Sequence, residues 1–204
     1  MRNAGWKAIL VAAVVWVGGT RAADVPGGFV KNVEQMPMES YELVITPAYL
    51  LSPAGAYLSS EVRHQYNEHF AGGFGFGAGE LGFNLGVSGL VHVMPKAIQP
   101  SFGVVGGLYF NRVSIENYLV FRIVPTLSHE FSTEMGKITP YAALQLTPAI
   151  GLGSASKFGV RASGGAKFAL QSTEGLALWT ELGIGLVNSV SEVAIGISHP
   201  FLAL

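Results

Sequence analysis

Few residues of this chain could do chemistry, and most of those that could are isolated charges. Charged residues make up 12% of the 204 residues, roughly half the fraction that is usual in a soluble domain. Charges of both signs can form a constriction that selects ions in a pore, or they can pair with one another in a closed interior. Nine of them fall in segments of alternating polar and apolar residues: Glu42, Glu61, Arg63, Glu116, Arg122, Arg161, Lys167, Glu181 and Glu192. The five that we expect to matter most are Glu116, Arg122, Arg161, Lys167 and Glu181.

Ser128, His129 and Glu130 have the side-chain types of a hydrolytic triad. A nucleophile and its base must come within hydrogen-bond reach of each other. Adjacent residues of a strand point to opposite faces, so His129 would point away from both neighbours. We therefore predict that the chain is not an enzyme.

Possible metal ligands surround a predicted turn near Asn67. His64 and His69, with Glu61 and Glu68, have suitable side chains, but no third ligand follows at a regular spacing. The chain also has no cysteine, which removes any thiolate site. We expect a polar loop here, and we predict no metal and no other cofactor.

Three of the nine charges belong to a predicted hairpin over Lys157–Val187. Apolar residues alternate with polar or small ones over about a dozen residues on each side of a turn at residues 172–175. A period of two indicates strands. Strands of globular proteins most often have roughly five to six residues, whereas a tilted strand that crosses a bilayer needs about nine to eleven. The hairpin is therefore long enough to span a membrane.

The same alternation runs from Tyr41 to the chain end and predicts ten strands joined by short turns, although eight remain possible. We expect a turn at Asn111 and Arg112, and one long, bulged strand over Ser114–Phe131 that Pro125 interrupts. Short connections favour an antiparallel meander, which closes most simply into a barrel. The predicted fold is an all-β, antiparallel, up-and-down transmembrane β-barrel of eight to ten strands, with ten favoured.

The direction of the charged face decides between two kinds of barrel. A soluble ligand-binding barrel is apolar inside, whereas a membrane barrel is apolar outside. All nine charges lie on the face opposite to the aliphatic one. Five carboxylates and four cations are too few to keep the exterior soluble, but they could fill a narrow interior. We predict a transmembrane barrel with polar residues inside; the alternative is a soluble secreted or periplasmic barrel that binds a lipid-like ligand.

The chain begins with a predicted signal peptide. Arg2 and Lys7 supply a positive start before an apolar run over residues 8–17. Residues 20–22 form a small-x-small ending, which predicts cleavage after Ala22. The segment that follows has no steady period, so we expect a disordered tail, with a plug or a periplasmic tether as the functional alternative. The predicted domains are a signal peptide (1–22), an irregular N-terminal extension (23–40) and a β-barrel (41–204).

The chain resembles a known class of protein in four predicted features. They are a leader, a meander from Tyr41 to Leu204, polar residues on the inward face of the strands, and a last strand that reaches the chain end. These are the small outer-membrane β-barrels of Gram-negative bacteria, which include the OmpA transmembrane domain, OmpX and OmpW. The resemblance implies residence in the cell outer membrane, contact with its lipids, and insertion by the barrel-assembly machinery.

The formal net charge of −1 gives no basic footprint for nucleic acid.

The sequence thus predicts a porin-like outer-membrane protein that is either a structural membrane component or a narrow pore for small solutes. At this barrel size we favour a closed, salt-bridged interior over an open constriction. Besides the soluble lipid-binding barrel, the remaining alternative is an outer-membrane lipid-modifying enzyme that carries His129 on its surface.

Overall fold

The computed structural model describes residues 36, 38–94, 100–170 and 175–202, and this part of the chain consists of strands and the turns between them. No helix in these residues is long and apolar enough to cross a membrane. The strands are Ser40–Ser52 (β1), Ala54–Gln65 (β2), Phe70–Gly79 (β3), Gly82–Met94 (β4), Ser101–Val113 (β5), Glu116–Ser128 (β6), Phe131–Thr133 (β7), Gly136–Gly151 (β8), Lys157–Leu170 (β9), Ala177–Val187 (β10) and Ser191–Leu202 (β11).

The strands form one closed antiparallel barrel. Sequence neighbours pair with each other from β1 to β6 and from β8 to β11, β1 also pairs with β11, and β6 pairs with β8. The short β7 continues β6 after a break at His129 and Glu130, so the barrel has ten strands. The predicted all-β, up-and-down barrel is confirmed, and ten is the strand number.

The two ends of the barrel differ in their connections. We call the end where β1 begins the terminal end; it carries the connections at residues 66–69 and 129–135. The opposite end, the turn end, has connections of one to five residues. The described connections of the turn end thus include the tightest turns of the barrel.

Alternation places every second side chain in the lumen. In β6, Tyr118, Val120 and Arg122 are buried, whereas Phe121 and Ile123 are exposed on the outer surface. The other long strands follow the same pattern, and their exposed large residues are mostly Leu, Ile, Val and Phe. This arrangement is the reverse of a soluble barrel.

Glycines in the wall make room for tyrosine rings in the lumen. A Cβ added at Gly77 would overlap the ring of Tyr57, and one added at Gly165 would lie 2.7 Å from the hydroxyl of Tyr141. Both tyrosines are buried. Aromatic rings from a neighbouring strand therefore fill the space that a glycine leaves in the wall.

Outward-facing prolines interrupt the β6–β8 and β1–β11 ladders but not the ladders on the other side of the same strands. The β5–β6 ladder passes Pro125 unbroken, and the β8–β9 ladder passes Pro148 unbroken. Because proline has no N–H, both missing donors face the seam between β6 and β8, where the pairs opposite the two prolines are absent. The β1–β11 seam likewise lacks the pairs of Thr46 and Pro47. The barrel thus consists of a six-stranded half (β1–β6) and a four-stranded half (β8–β11) joined at two interrupted seams.

One detail of the sequence prediction is corrected. Asn111 and Arg112 do not form a turn; β5 continues through them, and the turn lies at Ser114 and Ile115. Asparagine is common in turns, but the side chain of Asn111 faces the lumen and is fully buried. The long strand predicted over Ser114–Phe131 is found as β6, Glu116–Ser128, which continues through Pro125 and breaks at His129. The predicted signal peptide and the extension, apart from Met36 and residues 38–40, lie outside the described residues.

Replacing Gly165 with alanine should destabilise the barrel, because the new Cβ would overlap the backbone oxygen of Thr180 and crowd the Tyr141 ring. Overpacking of this kind costs about 1–3 kcal/mol. Gly106→Ala is the matched control, since a Cβ there meets nothing within 4 Å. Urea unfolding in detergent micelles, followed by the fluorescence of Trp179, measures the difference. Equal stabilities of the two variants would contradict this account of the wall.

Candidate functional site in the lumen

The structure places all nine predicted charges at inward-facing strand positions. Seven are buried, whereas Glu116 and Glu181 are half-buried. The lumen also holds Lys157, which sequence reasoning missed although it shares the parity of Arg161 and Lys167. The described strands therefore contribute five carboxylates and five cations to the lumen.

A first cluster lies near the terminal end and is centred on Glu42. This carboxylate forms an ion pair with Arg63, and its other oxygen lies 3.4 Å from the Lys167 ammonium group. The Lys167 ammonium also lies 5.1 Å from the ring centroid of Trp179. Two cations thus share one buried carboxylate, which satisfies charges that the narrow interior has removed from water.

Glu61 belongs to the same region of the six-stranded half and accepts a hydrogen bond from a neighbouring strand. Ser88 Oγ donates a hydrogen bond of 2.7 Å to Glu61 Oε1. A Cβ at Gly73 would lie 2.8 Å from the same oxygen, so the glycine provides the space for this carboxylate. Glu61 is therefore packed into the wall of the lumen rather than projected across it.

A second cluster is centred on Arg161 in the four-stranded half. The guanidinium donates to Glu192 Oε1 at 2.6 Å and to Gln145 Oε1 at 3.0 Å, and it lies 4.0 Å from Glu181 Oε1. Tyr141 donates its hydroxyl proton to the other Glu181 oxygen at 2.7 Å. Because Arg161 is only 1% exposed, these contacts replace its hydration.

A third cluster lies at the turn end. Lys157 Nζ lies 3.5 Å from Glu116 Oε2, which also accepts a hydrogen bond of 2.5 Å from the Tyr118 hydroxyl. Deeper in the six-stranded half, the guanidinium of Arg122 lies 4.3 Å from the ring centroid of Tyr109. Aromatic rings therefore accompany cations at several levels of the lumen.

A cavity of about 20 Å³ lies beside the second cluster, and its lining includes Tyr141, Trp179, Glu181 and Glu192. A water molecule needs about 10–15 Å³ by this kind of measure. The cavity therefore has room for about one water molecule.

The residues with triad-like side chains have separate surroundings. Ser128 is buried in the lumen wall. The His129 ring lies 4.5 Å from that of Phe131, and Glu130 forms an ion pair of 2.9 Å with Lys137. These contacts give each residue a packing or pairing role at the terminal end.

The possible metal ligands are also dispersed. Glu61 points into the lumen, whereas His64 lies on the outer surface and stacks on Tyr41 at 4.3 Å. His69 donates its backbone N–H to the Asn67 side chain. No group of three or more possible ligands occurs among the described residues.

Neither a protein-family model nor a curated protein matches the sequence. Chains of solved structures do match. One, from a structure entitled "De novo design of transmembrane beta-barrels", has a TM-score of 0.42 and 14% identity over 83% of this chain and 100% of that chain. The resemblance to the OmpA, OmpX and OmpW class has no family match behind it and stays a prediction.

Arg161→Met should be strongly destabilising, because it leaves the buried Glu192 and its neighbour Glu181 without their guanidinium partner. Breaking a buried pair costs about 3–5 kcal/mol. Lys157→Met removes a cation from a partly exposed pair and should cost no more than about 1 kcal/mol. Urea unfolding compares the two variants. Adding Glu192→Gln to Arg161→Met should restore part of the loss; an unchanged or lower stability of the double variant would argue against charge burial as the cause.

Proposed function

We propose that the chain is a transmembrane β-barrel of the Gram-negative outer membrane and serves there as a structural component with a closed interior. The outer surface of the barrel carries this proposal. Among the outward-facing strand positions of the described residues, Arg112, near the end of β5, is the one that carries a formal charge. The largest apolar patch of a soluble monomer usually covers about 300–600 Å², whereas exposed apolar residues here surround the whole barrel. Such a surface fits lipid rather than water.

The height of the apolar surface also supports a membrane. The uncharged outward runs Phe102–Phe110 of β5 and Leu119–Leu127 of β6 each cover nine residues. At about 3.3 Å per residue and a tilt of about 40°, such a run spans roughly 23 Å. The apolar band of membrane barrels is about 25 Å tall. The soluble lipid-binding alternative would need the opposite arrangement of faces.

The filled lumen supports a structural role over transport. Arg161, Gln145, Tyr109 and Tyr118 are among the largest fully buried side chains. Their burial and their contacts with one another support an interior filled with side chains. A narrow pore for small solutes is the competing function, because the charge clusters follow one another from the terminal end to the turn end.

The remaining parts of the proposal follow from the sequence. The predicted leader supports export, and the closed antiparallel barrel supports insertion by the barrel-assembly machinery, with outer-membrane lipids as the surrounding partner. We propose no catalytic role. The contacts of His129 and Glu130 support this, since the ring of His129 packs against Phe131 and the carboxylate of Glu130 pairs with Lys137.

The loss of stability caused by an arginine on the outer face should show whether lipid or water surrounds the barrel. Ile123 lies at the middle of the outward run of β6, and Leu119 lies at its turn end. For protein folded into lipid vesicles, Ile123→Arg should cost about 2–4 kcal/mol and Leu119→Arg about 0–1 kcal/mol, because the cost depends on depth in the bilayer. Urea unfolding from vesicles measures both. If both changes were neutral, water rather than lipid would surround the barrel, and the membrane proposal would fail.

A closed interior predicts that the full chain in a planar bilayer gives no stable single-channel openings. Heat-modifiable electrophoretic mobility shows, as the control, that the sample is folded. Stable openings whose ion selectivity changes in Arg161→Glu or Glu116→Lys would contradict the structural role and establish the pore instead.

A further inference from the structure

The seam between β1 and β11 is interrupted at the middle of β1, where Thr46 lies. Pairing with β11 stops after Ile45 and resumes at Ala48. Pro47 lies in this gap and has no N–H to give to the ladder. The two strands therefore lack part of their backbone hydrogen bonding at this height.

The side chain of Thr46 points into the lumen beside the gap. It is 7% exposed, and its hydroxyl group has no hydrogen-bond partner among the residues that the structure describes. A Cβ added at Gly196 would lie 2.8 Å from Thr46 Oγ1, so the hydroxyl extends across the seam into space that this glycine provides. Burial of a hydroxyl group is unfavourable unless a new hydrogen bond replaces those it made with water.

The cavity beside the second cluster lies at the same place. Thr46 and Gly196 line it together with Glu181 and Glu192. Its volume of about 20 Å³ exceeds the roughly 10–15 Å³ that one water molecule needs. The cavity therefore combines room for one small molecule with a hydroxyl group and two carboxylates that can form hydrogen bonds with it.

The charge of the lumen favours a neutral occupant. The described strands contribute five carboxylates and five cations, and both carboxylates at the cavity already contact the guanidinium of Arg161. An added ion would disturb this balance in an interior where charge needs a partner. A water molecule adds no charge, and it can bond to two or more polar groups at once.

We propose that this cavity binds one water molecule, which bridges the Thr46 hydroxyl to the carboxylate of Glu181 or Glu192. The water links β1 of the six-stranded half to the four-stranded half at the height where their backbone pairing is interrupted. It lies between the ion pairs that join the two halves near the ends of the barrel, Lys167 with Glu42 and Lys157 with Glu116. This structural water is compatible with a closed barrel and with a narrow pore, so it does not rest on the proposed function.

Crystal structures of the full chain in detergent, compared with Thr46→Val and Thr46→Ser, test the site directly. The unsubstituted chain and Thr46→Ser should show one water molecule within about 3.2 Å of the hydroxyl oxygen and of a Glu181 or Glu192 oxygen. Thr46→Val keeps the shape of the side chain but lacks the hydroxyl, and it should lose this water. A dry cavity in the unsubstituted chain, or density that Thr46→Val leaves unchanged, would overturn the proposal. Density that gains an anomalous signal when Na⁺ in the buffer is replaced with Rb⁺ would identify a cation and would also overturn it.

A double-variant cycle separates the water from a direct structural role of the hydroxyl. Thr46→Val should lower the folding equilibrium constant roughly five- to tenfold, which corresponds to about one hydrogen bond. Ala194→Val adds two methyl groups at the lining of the cavity and should displace the water. In the Ala194→Val background, Thr46→Val should then change the folding constant less than about twofold. Urea unfolding in detergent micelles measures all four chains, and an equal loss in both backgrounds would show that the hydroxyl acts without a water molecule.

Discussion

Most of the charged side chains on the strands of this ten-stranded barrel are buried in its lumen, and this constraint governs the rest of the structure. Alternation sends every second side chain into the lumen, where any charge must find a partner inside the protein. The described strands satisfy the constraint by number, with five carboxylates and five cations, and by position, because the clusters around Glu42, Arg161 and Glu116 occupy different levels. Glycine in the wall is the counterpart of these long side chains, since Gly73 leaves the space that the Glu61 carboxylate occupies.

The same interior contacts hold the two halves of the barrel together. Proline removes ladder donors from the β6–β8 and β1–β11 seams, where the pairs opposite the prolines are absent. Two ion pairs join the halves across the lumen: Lys167 of β9 contacts Glu42 of β1 near the terminal end, and Lys157 of β9 contacts Glu116 of β6 at the turn end. The network around Arg161, in contrast, lies within the four-stranded half. Interior ion pairs therefore link the two halves near both ends of the barrel, in addition to the interrupted hydrogen-bonded seams.

Much of this architecture could be predicted from a period of two, because parity alone assigns each residue to a face. Strand number and the inward position of the charges followed from that rule and from the scarcity of charge. The choice of partner did not, because contacts across a lumen depend on the stagger between strands that are distant in sequence, as for Lys167 and Glu42. The turn preference of asparagine led to a wrong prediction at Asn111, because its side chain is buried in the lumen and not placed in a turn. Met36 carried no periodic signal, since a single residue outside the sheet has no parity.

The lumen is chemically divided between charged and apolar surfaces. Toward the terminal end, an apolar part of its wall shares the lumen with the charged cluster around Glu42; it consists of Ala71, Leu90, Val105, Val124 and Ala143. A charged side chain placed against this apolar wall would lose hydration without gaining a partner. Methionine meets no such cost, because its side chain is apolar and adapts to an irregular surface. Met36, which precedes the first strand, packs in this cluster, so a residue from outside the sheet covers apolar wall in a lumen that is otherwise rich in charge.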